Sequence, residues 1–181
     1  VTGITTERAA SGINSVVPNE VVVPTTRTGD GFTVAVRVTT VTGGTYTLLY
    51  DLSREIEIEI GALGTHTLPA GGYAYTGSAL GSGGFSRIDR HERVASGDHD
   101  VRHWHVDYLG GHEAVSLVGD CRVHDRDVEC RVAGDLADLA ASPVPEFGSS
   151  DCDCDSHLTR YEDLDSARTA VETVFEELAR E

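Results

Sequence analysis

Two tyrosines, an arginine and a histidine are the side chains whose types and spacing point to chemistry. Gly44-Thr45-Tyr46 and Tyr75-Thr76-Gly77 are short, strand-like tripeptides, each holding a tyrosine and a glycine, and the two tyrosines lie 29 positions apart. A glycine-rich stretch from Gly77 to Gly84 follows, then a segment of helical pattern with Arg87 and His91 four apart. That spacing stacks the guanidinium and the imidazole on one helix face. Phenol, guanidinium and imidazole meeting at one strand-to-helix corner suit the holding and cutting of a phosphodiester. The guanidinium offers a fixed fork of donors to phosphate, and the imidazole can carry a proton near neutral pH.

A second cluster lies late in the chain. Cys152-Asp153-Cys154-Asp155-Ser156-His157 places two thiols and an imidazole in one loop. Zinc in a closed site wants four such ligands, and Cys130 or Cys121 could supply the fourth. The alternative is a packed loop with reduced thiols, which the lack of any spacing rule for the fourth ligand favours. His103, His105 and Asp107 flank Trp104, and the alternation reads as a strand over His103–Leu109 with Trp104, Val106 and Tyr108 on one face. The sequence assigns Trp104 to packing and the histidines to supporting or nucleic-acid contacts rather than to a dedicated metal site.

The elements that must position these groups follow from periodicity. Residues 1–30 carry little pattern and read as a poorly ordered lead-in. Phe32 to Thr39 alternates like a half-buried strand. Strands are expected over Thr45–Asp51, Glu55–Ile60, Tyr73–Gly77 and Ala114–Val123, with the Glu55–Ile60 strand as an insertion between the two tripeptides. Helices are expected over Phe85–Ala95 and Asp127–Leu139, the second with Val128, Val132, Leu136 and Leu139 recurring at helical spacing. Pro143 and Pro145 stop that helix, and Glu146–Ser156 reads as an irregular loop. An amphipathic helix over Asp163–Arg180 closes the chain on the stripe Val171, Val174, Phe175 and Leu178. The expected fold is α+β, a mixed and mostly antiparallel sheet flanked by helices. Its main domain spans 31–161 and the C-terminal helix 162–181 lies against it.

Composition limits the partners. The formal charge is −16, and all 14 basic residues are Arg, since the chain has no Lys. That balance is similar to the proteins of halophilic archaea. A polyanionic chain is not an obvious nucleic-acid binder, although concentrated salt screens charge. No run of residues reaches transmembrane length, no secretion signal is evident, and four unevenly spaced cysteines suit a reducing cytoplasm. Membrane partners are not expected.

The paired tripeptides, with Arg87 a few residues into the next helix, resemble the GIY-YIG nucleases. Pro69–Tyr75, His103–Tyr108, Glu129-Cys130 and Phe147–Cys154 extend the likeness to a largely archaeal branch of that superfamily described as a domain of unknown function. It covers roughly Thr42 to Tyr161. The resemblance implies a GIY-YIG-like fold and a metal-dependent endonuclease acting on DNA, in repair or processing. It further implies that Tyr46 and Tyr75 serve proton transfer and phosphate binding, with His91 as a base or phosphate contact. Arg87 would offset transition-state charge, and Glu129 would hold Mg²⁺ or Mn²⁺. Glu129 lies about 100° round the helix from the apolar stripe, where it can point into a cleft or into solvent. Two alternatives stand beside the enzyme: a non-catalytic nucleic-acid-binding module, and a zinc-stabilised interaction protein.

Overall fold

Tyr46, Leu48, Tyr50 and Leu52 alternate with Thr45, Thr47 and Leu49, and all seven are buried. A strand buried on both faces must lie between two layers. This strand, β1 (Gly44–Leu52), is the core of the fold in the computed structural model, which describes residues 43–139 and 142–181. It pairs antiparallel on one side with β4 (Gly71–Ser78) and on the other with β5 (Val115–His124). Next to β4 lies β7 (Leu158–Tyr161), and β6 (Ser142–Pro143) pairs with β7, giving the order β5-β1-β4-β7-β6. Every strand pairing among the described residues is antiparallel. With the helices on both sides the fold is α+β, as expected.

The expected insertion is present. β2 (Ile56–Glu59) and β3 (Thr65–Leu68) form their own two-stranded hairpin between β1 and β4. Its apolar residues Ile56, Ile58 and Leu68 join the main core. Both tyrosines therefore return to one sheet: Leu48 sits opposite Tyr75, and Tyr46 opposite Gly77.

The tyrosine face of the sheet is covered by α1 (Ser86–Ala95) and α2 (His105–Gly110), whose Ile88, Val106 and Leu109 share a core with Tyr46, Tyr50, Tyr73 and Tyr75. The other face receives α4 (Leu164–Leu178), with α3 (Glu129–Asp138) beside it. Gly72 allows α4 to come down on the sheet, because a Cβ there would lie 2.7 Å from the Cβ of Ala167. α4 begins where the Asp163 carboxylate accepts the Ser166 N–H at 2.7 Å, a side-chain cap that satisfies one orphan donor. Val171, Val174 and Leu178 are buried as their spacing requires.

Two expectations need correction. His103–Leu109 is not a strand: from His105 it is the short helix α2. The Asp107 carboxylate accepts the backbone N–H groups of His103 (2.8 Å) and Trp104 (3.0 Å), and this caps the turn. His103, His105 and Asp107 consequently share no strand face. The second correction concerns β3, β6 and β7, short strands that the sequence reading left unassigned. The lead-in 1–30 and the Phe32–Thr39 strand lie outside the described residues. None of the described helices is long and apolar enough to cross a membrane.

Candidate functional site

Gly77 is where the sheet makes room for the Tyr46 ring. A Cβ at Gly77 would lie 2.6 Å from the Tyr46 hydroxyl and 2.7 Å from its ring. The missing side chain lets the Tyr46 ring cross over β4 toward α1. There its hydroxyl meets His91 Nε2 at 3.0 Å. His91 Nδ1 in turn lies 2.8 Å from Asp107 Oδ1 on α2. Tyr46, His91 and Asp107 are only 1 %, 2 % and 1 % exposed, so this chain of hydrogen bonds is shielded from bulk solvent.

Asp107 sets the direction of the chain. Burial works to raise its pKa, but bonds from His91, the Trp104 N–H, Arg90 and the His103 N–H outweigh it and hold the carboxyl well below its ordinary range. Arg90 Nη1 reaches Asp107 Oδ2 at 2.7 Å, and Arg90 Nη2 reaches the Val101 carbonyl at 2.7 Å. An ionised carboxylate only accepts. His91 Nδ1 therefore carries a proton, and in the neutral tautomer this fixes, Nε2 is the atom free to accept from the Tyr46 hydroxyl. The sequence reading weighed Asp107 only beside His103 and His105, as part of a metal cluster it set aside. Its bond to His91 has no local signature, because the contact joins α1 to α2.

Arg87, one turn before His91, is half-exposed, and its guanidinium carbon lies 4.6 Å from the centre of the Trp104 ring. Arg90 stands at the same distance from that ring. Trp104 thus has the packing role expected of it, as a platform for two cations. Burial raises the Tyr46 pKa, Arg87 lowers it and Glu129 raises it. Tyr75 is raised by burial first and then by Tyr46, Glu129 and Tyr50, with Arg87 opposing. The charges of Arg87 and Glu129 are therefore both felt at both phenols. Tyr73 is a core ring, and its hydroxyl donates to the Pro69 carbonyl at 2.7 Å. Two surface clefts of about 450 and 480 Å³ are lined by other residues, among them Glu57 and Arg102 in one and Glu92 and Asp120 in the other.

The loop cysteines have found a fourth partner. The ligand atoms of Cys130, Cys152, Cys154 and His157 all lie within 4.8 Å of one another. Cys130 stands in the first turn of α3, and His157 directly precedes β7. His157 Nε2 is 3.3 Å from Cys152 Sγ and 4.0 Å from Cys130 Sγ. Burial, followed by the Cys130 and Cys152 sulfurs, raises the Cys154 thiol. Burial also opposes ionisation of Cys152, but hydrogen bonds from Cys154 and Cys130 and the His157 charge bring it below its ordinary value. Cys121, the other candidate, sits on β5 outside this group. Burial, Asp120 and Glu172 push it up to about 11. Three sulfurs and one imidazole form a soft donor set, one that could hold a metal of the zinc type rather than magnesium. His105, far from being a ligand here, accepts the Gly148 N–H at 3.3 Å.

No curated protein and no solved structure matches the chain. Residues 45–180, from the first residues of β1 to the end of α4, match one family model, and by that match the chain belongs to the family described as Domain of unknown function DUF123.

Proposed function

We propose that this chain is a divalent-metal-dependent phosphodiesterase that cuts DNA, with a GIY-YIG-like site on the tyrosine face of the sheet. The observation that carries the reading is the hydrogen-bonded series Tyr46–His91–Asp107, which ends beside an arginine. Such a series moves a proton without storing charge on the phenol. DNA binding must first open the Tyr46 oxygen to the site; as water then attacks phosphorus, its proton passes to the Tyr46 oxygen while the Tyr46 proton passes to His91 Nε2. The imidazolium so formed is stabilised by Asp107, by the same logic as the histidine and aspartate of a serine-protease triad. Burial opposes a phenolate at Tyr46, so a concerted transfer is the economical path. Arg87 offers its fork to the phosphate and offsets charge on the phosphorane-like transition state. Tyr75 orients the phosphate.

The resemblance also implies Mg²⁺ or Mn²⁺. Glu129, whose charge reaches both phenols, is a hard oxygen ligand suited to it, and Mg²⁺ needs only one or two carboxylates besides water and phosphate oxygens. The ion would supply Lewis-acid polarisation of the phosphate and stabilise the leaving oxygen.

Incubation with branched, nicked, single-stranded and duplex DNA in high salt with Mn²⁺ or Mg²⁺ tests the reading. Cleavage is expected, lost with EDTA and lowered roughly 10²-fold or more by Arg87→Ala and by Glu129→Ala. No cleavage of any substrate, or cleavage undiminished in both variants, refutes it. One observation favours a second reading. Tyr46, His91 and Tyr75 are buried, which shuts the would-be base and its partners away from an attacking water and suits a nucleic-acid-binding module without catalysis. DNA binding that persists in EDTA without cleavage would select that module.

A further inference from the structure

We propose that Cys130, Cys152, Cys154 and His157 hold one zinc ion, and that His157 passes the rigidity of this site to the Glu129 carboxylate. The zinc half stands alone; the consequence for Glu129 rests on the hydrolytic reading above.

The geometry is close to what a tetrahedral site requires. Zn–S bonds of about 2.3 Å and Zn–N bonds of about 2.0 Å place ligand atoms roughly 3.5–3.8 Å apart. The four atoms here fall within 4.8 Å, with His157 Nε2 at 3.3 and 4.0 Å from two of the sulfurs. Sub-ångström side-chain shifts close the tetrahedron. All four positions are filled by protein, which marks a structural rather than a catalytic zinc.

A second observation concerns the other ring nitrogen. His157 is 2 % exposed, and its Nδ1 is buried without an aligned hydrogen bond. Glu129 Oε1 lies 3.0 Å from it. Zinc-bound histidines commonly give their second N–H to a carboxylate, which fixes the ring and strengthens the ligand. Coordination at Nε2 commits the proton to Nδ1 and turns that contact into a bond. A carboxylate held by one oxygen keeps the other for a hard cation.

The loop itself also argues for a staple. Ser149, Ser150, Asp151, Asp153 and Asp155 surround the two cysteines, and Phe147 is the one fully buried apolar anchor of the stretch from 146 to 156. A loop this polar gains little from burial, so a metal is the natural source of its order. Cys130 adjoins Glu129, so the same ion ties the first turn of α3 to the strand β7.

Elemental analysis of the full chain, purified without chelator, is expected to give about one zinc per chain. Exchange with Co²⁺ should give tetrahedral d–d bands and thiolate charge-transfer absorption. Cys130→Ser and Cys154→Ser should each weaken zinc retention and reduce the charge-transfer band. If a cysteine variant does not fold, the charge-transfer intensity of the wild-type cobalt form still counts the thiolates, and three are expected. Glu129→Gln should keep the stoichiometry but lower zinc affinity about 10–100-fold in chelator competition. Folded wild-type chain with neither zinc nor cobalt bands overturns the site, as do cysteine variants with unchanged spectra. Unchanged affinity in Glu129→Gln overturns the link to Glu129. None of these readouts uses DNA, so a zinc site intact in a chain that cuts nothing overturns only the hydrolytic reading.

Discussion

Replacing Asp107 by Asn changes one atom and should disable both the corner and its proton path. The wild-type carboxylate accepts four bonds: from His91 at 2.8 Å, Arg90 at 2.7 Å, and the N–H groups of His103 at 2.8 Å and Trp104 at 3.0 Å. The asparagine oxygen can keep the three donors that now share Oδ2. Its NH₂ then faces His91 Nδ1, which must lose its proton and accept. The other tautomer follows, with Nε2–H pointing at the Tyr46 oxygen and the relay reversed. The cost has two parts. Arg90 loses its buried counter-charge, and two charge-assisted bonds become neutral ones. Breaking a buried ion pair costs about 3–5 kcal/mol; because three of the four bonds survive, about 3 kcal/mol is expected. The same tautomer error in a serine-protease triad lowers turnover roughly 10⁴-fold, and a loss of that order is expected in any cleavage activity. The pH dependence gives a sharper check. The Asp107 pKa is depressed below its ordinary value of 3.8, so its stabilisation is present above about pH 4 and is lost as pH falls from there through the folded value. Over that window one proton changes the unfolding free energy by about 1.4 kcal/mol per pH unit. Urea unfolding of both chains at pH 7, 5, 4 and 3 should show a constant difference down to about pH 5 and a shrinking one below pH 4. Equal stability at pH 7, or a difference that ignores pH, would refute the account of Asp107.

Two further outcomes follow from the same packing. Gly77→Ala drives a methyl within 2.6 Å of the Tyr46 hydroxyl; overpacking of this kind costs about 1–3 kcal/mol, visible as a lower thermal midpoint, and it should also break the Tyr46–His91 bond. An unshifted midpoint would mean that Tyr46 does not occupy this position. Tyr46, Tyr50 and Tyr75 all have pKa values raised by burial, so they favour the folded state fully below pH 10 and this contribution is lost as pH rises above it. Absorbance titration near 295 nm should show these phenols ionising only as the chain unfolds, whereas independent ionisation near pH 10 in the folded protein would contradict their burial.

The legible and illegible parts of this chain separate by the range of the interactions that decide them. β1, β4 and α4 could be read because their alternation or helical stripe repeats over eight residues or more, and burial on a sheet follows that repeat. α2 could not, because six residues make under two turns, and Trp104, Val106 and Tyr108 alternate by accident. What decides α2 is the Asp107 carboxylate on two backbone N–H groups, and Trp104 is no ordinary capping residue. β7 has four residues, and its partner β4 lies some eighty positions upstream. The same range governs the site. Tyr46, Tyr75 and Arg87 stood out because their neighbours form local motifs. Asp107 was set aside and Cys130 could not be told from Cys121, since each gains its role only when one element is laid against another: α2 against α1, and α3 against the loop before β7. Both residues act through a histidine that the sequence had singled out. An unexplained histidine thus carried more information than its own spacing, because each of its ring nitrogens demands a partner. For His91 the two partners are Tyr46 and Asp107, and for His157 they are the sulfur cluster and Glu129. The hard carboxylate and the soft sulfur set therefore meet at one imidazole. If Glu129 holds the hard cation that cleavage would need, that cation and the proposed zinc would have separate ligands, linked only through the His157–Glu129 contact.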